Sequence, residues 1–124
     1  MYKKNFVDEE HYNKTKEMIK KAELKKEDYP KNACELSLFY ILGSLDKFRR
    51  NPEIYYNFEN GTINQKVFNE IPLSDTEEDL LRLAFHLFNS FNDFELVPGL
   101  KNLNRVRLYI ALTAIKIRFG VFAL

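Results

Sequence analysis

Residues 74–89 read SDTEEDLLRLAFHLFN, and their spacing decides the fold class. Ser74 and Glu77 stand at the separation of a capping box, and Asp75, Glu77 and Glu78 bring carboxylates to the positive end of a helix dipole. At about 100° per residue, Leu80, Leu83, Ala84, Leu87, Phe88 and Phe91 cover one broad arc. Arg82, His86, Asn89 and Asp93 fall on the opposite side, four, three and four residues apart. The stretch therefore predicts an amphipathic helix over 75–92 whose histidine turns away from the apolar run that surrounds it in sequence.

The same periodicity recurs on either side. Asp8 is a good N-cap residue followed by Glu9 and Glu10, which starts a first helix at that point. Its apolar stripe is His11, Tyr12, Thr15, Met18, Ile19 and Ala22, so the interleaved lysines form a solvated face and His11 is expected to face inward. After Pro30 a second helix is expected over 31–50, with Cys34, Leu38, Ile41, Leu42, Leu45 and Phe48 as its core stripe. Gly43 lies off that stripe, where it admits another backbone or marks a kink. Beyond the Pro98-Gly99 break, a fourth helix over 103–119 has Val106, Ile110 and Ile117 on one side and Leu108, Leu112, Ile115 and Phe119 nearly opposite. Such a helix is either the central element or half of an oligomer contact. Arg107 and Arg118 share its remaining narrow stripe with Ala111 and Ala114, and the apolar tail VFAL must dock or expose itself.

Residues 51–73, NPEIYYNFENGTINQKVFNEIPL, resist a helical reading. Asn60-Gly61 is a turn signal around which the flanking segments pair as a short hairpin; the alternative is an irregular excursion anchored by Tyr55, Phe58, Ile63 and Phe68. The fold class expected is mainly α: a single domain over 1–124, built as a compact bundle of about four helices with this excursion.

Composition bounds the function. A chain of 124 residues with 45% hydrophobic and 15% aromatic residues is large enough to bury a core without disulfides. The lone Cys34 fits a reducing, cytoplasmic setting, and its place on the apolar stripe reads as core rather than nucleophile. No stretch approaches the ~18 consecutive apolar residues of a membrane span, and no metal or cofactor motif is present. The net charge of +1 is unevenly spread: residues 67–100 carry seven acids and one arginine, whereas residues 101–124 carry five basic residues and no acid. That asymmetry suits a charged partner, although overall neutrality disfavours a dedicated nucleic-acid binder.

The candidate interaction residues follow from these patterns. Arg49 and Arg50, at a helix C-terminus where cations are favourable, make a basic and aromatic patch with Tyr55 and Tyr56. The column of Arg82, His86, Asn89 and Asp93 suits a solvated face, or a binding face for a phosphate. As chemistry, it has His86 as general base and Arg82 steadying negative charge. All-helical HEPN-type ribonucleases place an arginine four to six residues before a histidine, typically with a polar residue after the arginine. Here Leu83, Ala84 and Phe85 intervene and none is polar, so no catalytic residue is assigned.

Taken in order, FVDEEHY, LFYILG, FRRN, GTI, LRLAFHLFN and AIKIRFG resemble a family of short proteins of unknown function from Firmicutes and their phages and mobile elements. The resemblance covers most of the chain. This sequence departs from the family in lacking tryptophan before the LAF helix and in carrying His86 where asparagine is usual. The setting implied is that of a small non-enzymatic protein acting on a host protein, for instance by blocking a host defence system such as a CRISPR effector. Self-association through residues 103–124 is a further expectation. The alternatives are a nucleic-acid binder using Lys101, Arg105, Arg107 and Arg118 or Arg49 and Arg50, and a small helical ribonuclease using Arg82 and His86.

Overall fold

A computed structural model describes residues 4–90, 93–121 and 124; over these the chain is mainly helical, with one two-stranded sheet. Helix α1, Glu9–Lys21, begins where its cap was expected: the Asp8 carboxylate accepts from the His11 backbone N–H at 2.7 Å. His11, Thr15, Met18 and Ile19 are buried and Tyr12 and Ala22 half-buried, while Glu17, Lys20 and Lys21 stand in solvent.

Helix α2, Ala33–Ser44, is the centre of the fold and packs against α1, α5 (Asp75–Asn89) and α7 (Arg105–Arg118). Every residue from Leu36 to Ser44 is buried, so the single core stripe expected of this helix is in fact its whole circumference. The central position expected as one option for the last helix therefore belongs to α2. At Gly43 α1 approaches closely: a Cβ there would stand 2.6 Å from Thr15 Oγ1 and 3.3 Å from the His11 carbonyl oxygen. The glycine admits a neighbouring backbone. The continuous helix expected over 31–50 also breaks two residues later, where Leu45 is extended before the short helix α3, Asp46–Arg49. Ser44 Oγ donates to the Ile41 carbonyl at 2.6 Å, competing for the acceptor that the Leu45 N–H would take in a continuing helix.

The excursion combines the two forms expected for it. Strands β1, Tyr56–Asn57, and β2, Thr62–Ile63, pair antiparallel with Tyr56 opposite Ile63. Gly61, at φ 71°, supplies the left-handed residue of the turn. Asn57 Oδ1 accepts from the Glu59 and Asn60 N–H groups, and Asn64 closes the neck by donating from its side chain to the Ile54 carbonyl at 3.0 Å. One turn of helix, α4 (Val67–Glu70), leads back to the main body. Val67 is buried, and Phe58, Ile63 and Phe68 pack half-buried against the core.

Helix α5 carries the capping box expected: Ser74 Oγ accepts from the Glu77 N–H and the Glu77 carboxylate accepts from the Ser74 N–H. It ends at Asn89, three residues before the expected end, because Ser90 takes the left-handed conformation at φ 60°. Phe91, expected on its apolar arc, lies outside the described residues. The Pro98-Gly99 break is itself helical, α6 being Leu96–Leu100. Proline is tolerated there because a first-turn N–H has no intrahelical acceptor to lose. Asn104 then caps α7 by accepting from the Arg107 N–H at 2.8 Å.

Two hydrogen bonds give the direction of α7 relative to α5. Arg107 donates to Thr76 Oγ1 near one end, and Arg118 Nε donates to the Leu87 carbonyl at 2.6 Å near the other; each pair is 31 residues apart in sequence. The two helices therefore run parallel, with the segment containing α6 returning along their length. An up-and-down bundle would make them antiparallel. Among the described residues no helix is long and apolar enough to cross a membrane.

Candidate interaction surface

The basic and aromatic patch expected at the end of the second helix does not form as a surface. Tyr55 and Tyr56 are buried in the core, where their rings meet Phe48, Phe39 and Phe58 edge-on. Their hydroxyls point to polar exits, Tyr55 donating to the Lys47 carbonyl and Tyr56 to a Glu35 carboxylate oxygen at 3.3 Å. Arg49 turns back onto α1, its side chain only 14% exposed, and reaches Glu10 at 3.1 Å and Asp8 and Asp46 at 3.6 Å. It fastens α3 to the start of α1. Arg50 alone of the four is exposed, and it pairs with Asp46 at 2.7 Å, which holds that carboxyl below its ordinary range.

The polar column on α5 also divides. Arg82 lies over the Phe68 ring, 4.3 Å from its centroid, and its Nε donates to Glu78 at 2.9 Å. His86 is half-buried rather than exposed, because Phe94 returns from beyond the helix to stack near it with ring centroids 5.9 Å apart. Asn89 is exposed, and Asp93 lies past the helix end, so the column stops before it. His86 forms one wall of a cleft of about 290 Å³ lined also by Leu83, Leu87, Phe94, Ile115 and Phe119. Asp79, on the same helix, has its carboxyl pushed up by burial, with Glu78 and Asp75 adding to the shift.

His11 is fully buried, as its helical position predicts. Nε2 lies 2.7 Å from the Tyr40 carbonyl oxygen, which can only accept, so Nε2 carries the proton. Nδ1 then accepts from the Val7 N–H at 3.1 Å. Both nitrogens of the neutral ring are satisfied. Burial lowers the pKa from 6.5 to about 4, outweighing the opposing pull of the Tyr40 carbonyl. The group is a structural peg: Phe6 packs edge-on against it, and the Tyr40 hydroxyl donates to the Asn5 carbonyl, tying the segment before α1 to α2.

Arg107 and Arg118, expected as surface cations of the last helix, are half-buried and occupied by the contacts to α5 already described. The outward face of α7 is different. Arg105, Tyr109, Leu112, Lys116 and Phe119 recur at spacings of four, three, four and three, and all are exposed, with Val106 beside them. Val106 is 55% exposed, Tyr109 and Leu112 45%, and Phe119 73%. The opposite face, Ile110, Ala111, Thr113, Ala114 and Ile117, is the one buried against the core. The two apolar sides expected of this helix do not separate as drawn: Ile110 and Ile117 are buried but Val106 is exposed, and Leu112 and Phe119 face solvent while Leu108 and Ile115 pack half-buried against the core. Tyr109 was not among the residues singled out from sequence; its place three residues before Leu112 is the signal that identifies it. Cys34 is half-buried, and among the described residues no group of three or more His, Cys, Asp or Glu side chains is placed to hold a metal ion.

No curated protein and no solved structure matches the chain. A family model described as a family of unknown function, DUF6075, matches residues 1–123, and the chain belongs to that family.

Proposed function

We propose that this chain is a non-enzymatic protein-interaction module that docks a partner on the outward face of α7. The observation that carries the reading is the exposed stripe of Tyr109, Leu112 and Phe119 flanked by Arg105 and Lys116. Aromatic and arginine side chains are the residues around which binding energy concentrates at protein interfaces. The charged members of the stripe are both cations, which favours a partner presenting an apolar patch with an acidic rim. The same charges disfavour pairing with a second copy, since antiparallel apposition would bring Arg105 toward a second Lys116. The bacterial, phage and mobile-element setting implied by the family resemblance makes a host protein the partner, with a defence enzyme such as a CRISPR effector as the class a small blocker would serve.

The test is affinity purification from the native host followed by mass spectrometry, comparing the natural chain with the double variant Tyr109→Glu and Leu112→Glu. A host protein recovered with the natural chain should bind it directly when both are purified, and the double variant should lose that binding with its melting temperature unchanged. Equal binding by the variant, or a natural chain that recovers no host protein at all, overturns the reading. A gel-shift series in salt addresses the nucleic-acid alternative, for which steep weakening with rising salt is the signature.

A further inference from the structure

The fold leaves a second, larger cleft at the end of α7, and its chemistry differs from that of the outward stripe. It measures about 600 Å³, within the usual range of small-ligand sites. One wall is Tyr29 and Pro30 of the connection before α2, the floor is Ala33 and Leu36 of α2, and the far wall is Ile117 and Phe119. Gly120 and Leu124 complete the lining, and among the described residues two charged side chains line it, Lys26 and Arg118, both cations. Arg118 lines this cleft and the smaller one alike, and its Nε–H is bound to the Leu87 carbonyl of the smaller cleft at 2.6 Å, which limits the swing of its guanidinium. Lys26 stands on the other side, in the short 3-10 turn Lys26–Asp28, and is exposed.

We infer that this cleft binds a small anionic amphiphile, a carboxylate carried on an apolar body, with the body between Ile117 and Leu36 and the carboxylate met by Lys26 and Arg118. An apolar cleft alone would accept any greasy molecule; two cations with no acidic side chain among the described residues of the lining select for negative charge. The cleft shares Phe119 with the protein-docking face, but Tyr109 and Leu112 take no part in it, so variants at those two residues separate the readings.

Titration of the full chain, ¹⁵N-labelled, with decanoate below its micelle concentration tests it, with decanol and decyltrimethylammonium as the neutral and cationic counterparts. Decanoate should give saturable amide shifts at Ala33, Leu36 and Ile117. Decanol should bind about tenfold more weakly, the equivalent of one charge-assisted hydrogen bond, and the cation more weakly still. Lys26→Glu, an exposed change that the fold tolerates, should weaken decanoate about tenfold. Ala33→Phe, which puts a ring into the floor, should abolish the shifts. Equal affinity for decanoate and decanol, unchanged binding by Lys26→Glu, or shifts centred on Tyr109 and Leu112 instead of the cleft would each overturn the inference.

Discussion

Helices α2 and α7 are both apolar around most of their circumference, yet α2 is buried throughout Leu36–Ser44 whereas α7 keeps Val106, Tyr109, Leu112 and Phe119 in solvent. The difference lies in their neighbours. Helix α2 is covered by α1, α5 and α7, while the main packing of α7 is against α2 and α5 alone. An all-round apolar helix states how much cover it needs, and only the topology supplies it. Where the supply falls short, the bare side is available for a partner.

The comparison can be broken most directly by truncation of one side chain on each helix. Phe39→Ala, on α2, should cost about 3–5 kcal/mol of unfolding free energy, because the cavity left at a fully buried site cannot relax away. Leu112→Ala, on the bare side of α7, should change stability by less than about 0.5 kcal/mol. Equilibrium urea unfolding of the two variants measures the gap, and comparable losses would mean that α7's outer face is covered in solution.

The next largest effect concerns the cover that α1 gives α2. His11 is neutral and buried in the fold with its pKa lowered from 6.5 to about 4, so the unfolded chain binds the extra proton between those values. Stability from this group is complete above pH 6.5 and falls as the pH drops toward 4, by about 3 kcal/mol in all. Protonation would also set an N–H on Nδ1 against the Val7 N–H, releasing the segment before α1. Unfolding free energies measured from pH 7 to pH 4 should show that slope, and His11→Gln should flatten it.

The smallest of the three sharpens the same contact. Alanine is a better helix former than glycine by about 1 kcal/mol. Gly43→Ala should nevertheless destabilise, by about 1–3 kcal/mol, because the added methyl meets Thr15 at 2.6 Å. A stabilising Gly43→Ala, read from thermal melts, would mean that α1 does not approach α2 there.

Periodicity and caps made much of the helical content legible. The start of α1 at Asp8, the box at Ser74 and Glu77, and the inward turn of His11 all depend on residues within a few positions of one another. What escaped depends on partners distant in sequence. His86 is covered by Phe94, a ring that returns from beyond the helix end, and no helical projection contains it. Tyr55 was expected both as an anchor of the excursion and in the surface patch, and the anchor reading is the one that fits. Tyr56 was expected at the surface alone, but its ring is buried and its hydroxyl reaches Glu35. The arginines of α7 looked available because Thr76 and Leu87, which occupy them, lie on another helix. The outward stripe was partly visible in Leu112 and Phe119, but the line between buried and bare runs through both expected sides, exposing Val106 and half-burying Leu108 and Ile115, because the placing of α2 and α5 draws it.

The parallel run of α5 and α7 has a consequence for synthesis. Helix α7 leaves the ribosome after α1, α2 and α5, and it closes the remaining flank of α2, a helix completed by residue 44. Until residues 105–118 emerge, the most apolar of the four long helices has nowhere to hide its third side. Folding therefore waits for α7, and a product terminated before Asn104 carries an open core that invites aggregation or a protease.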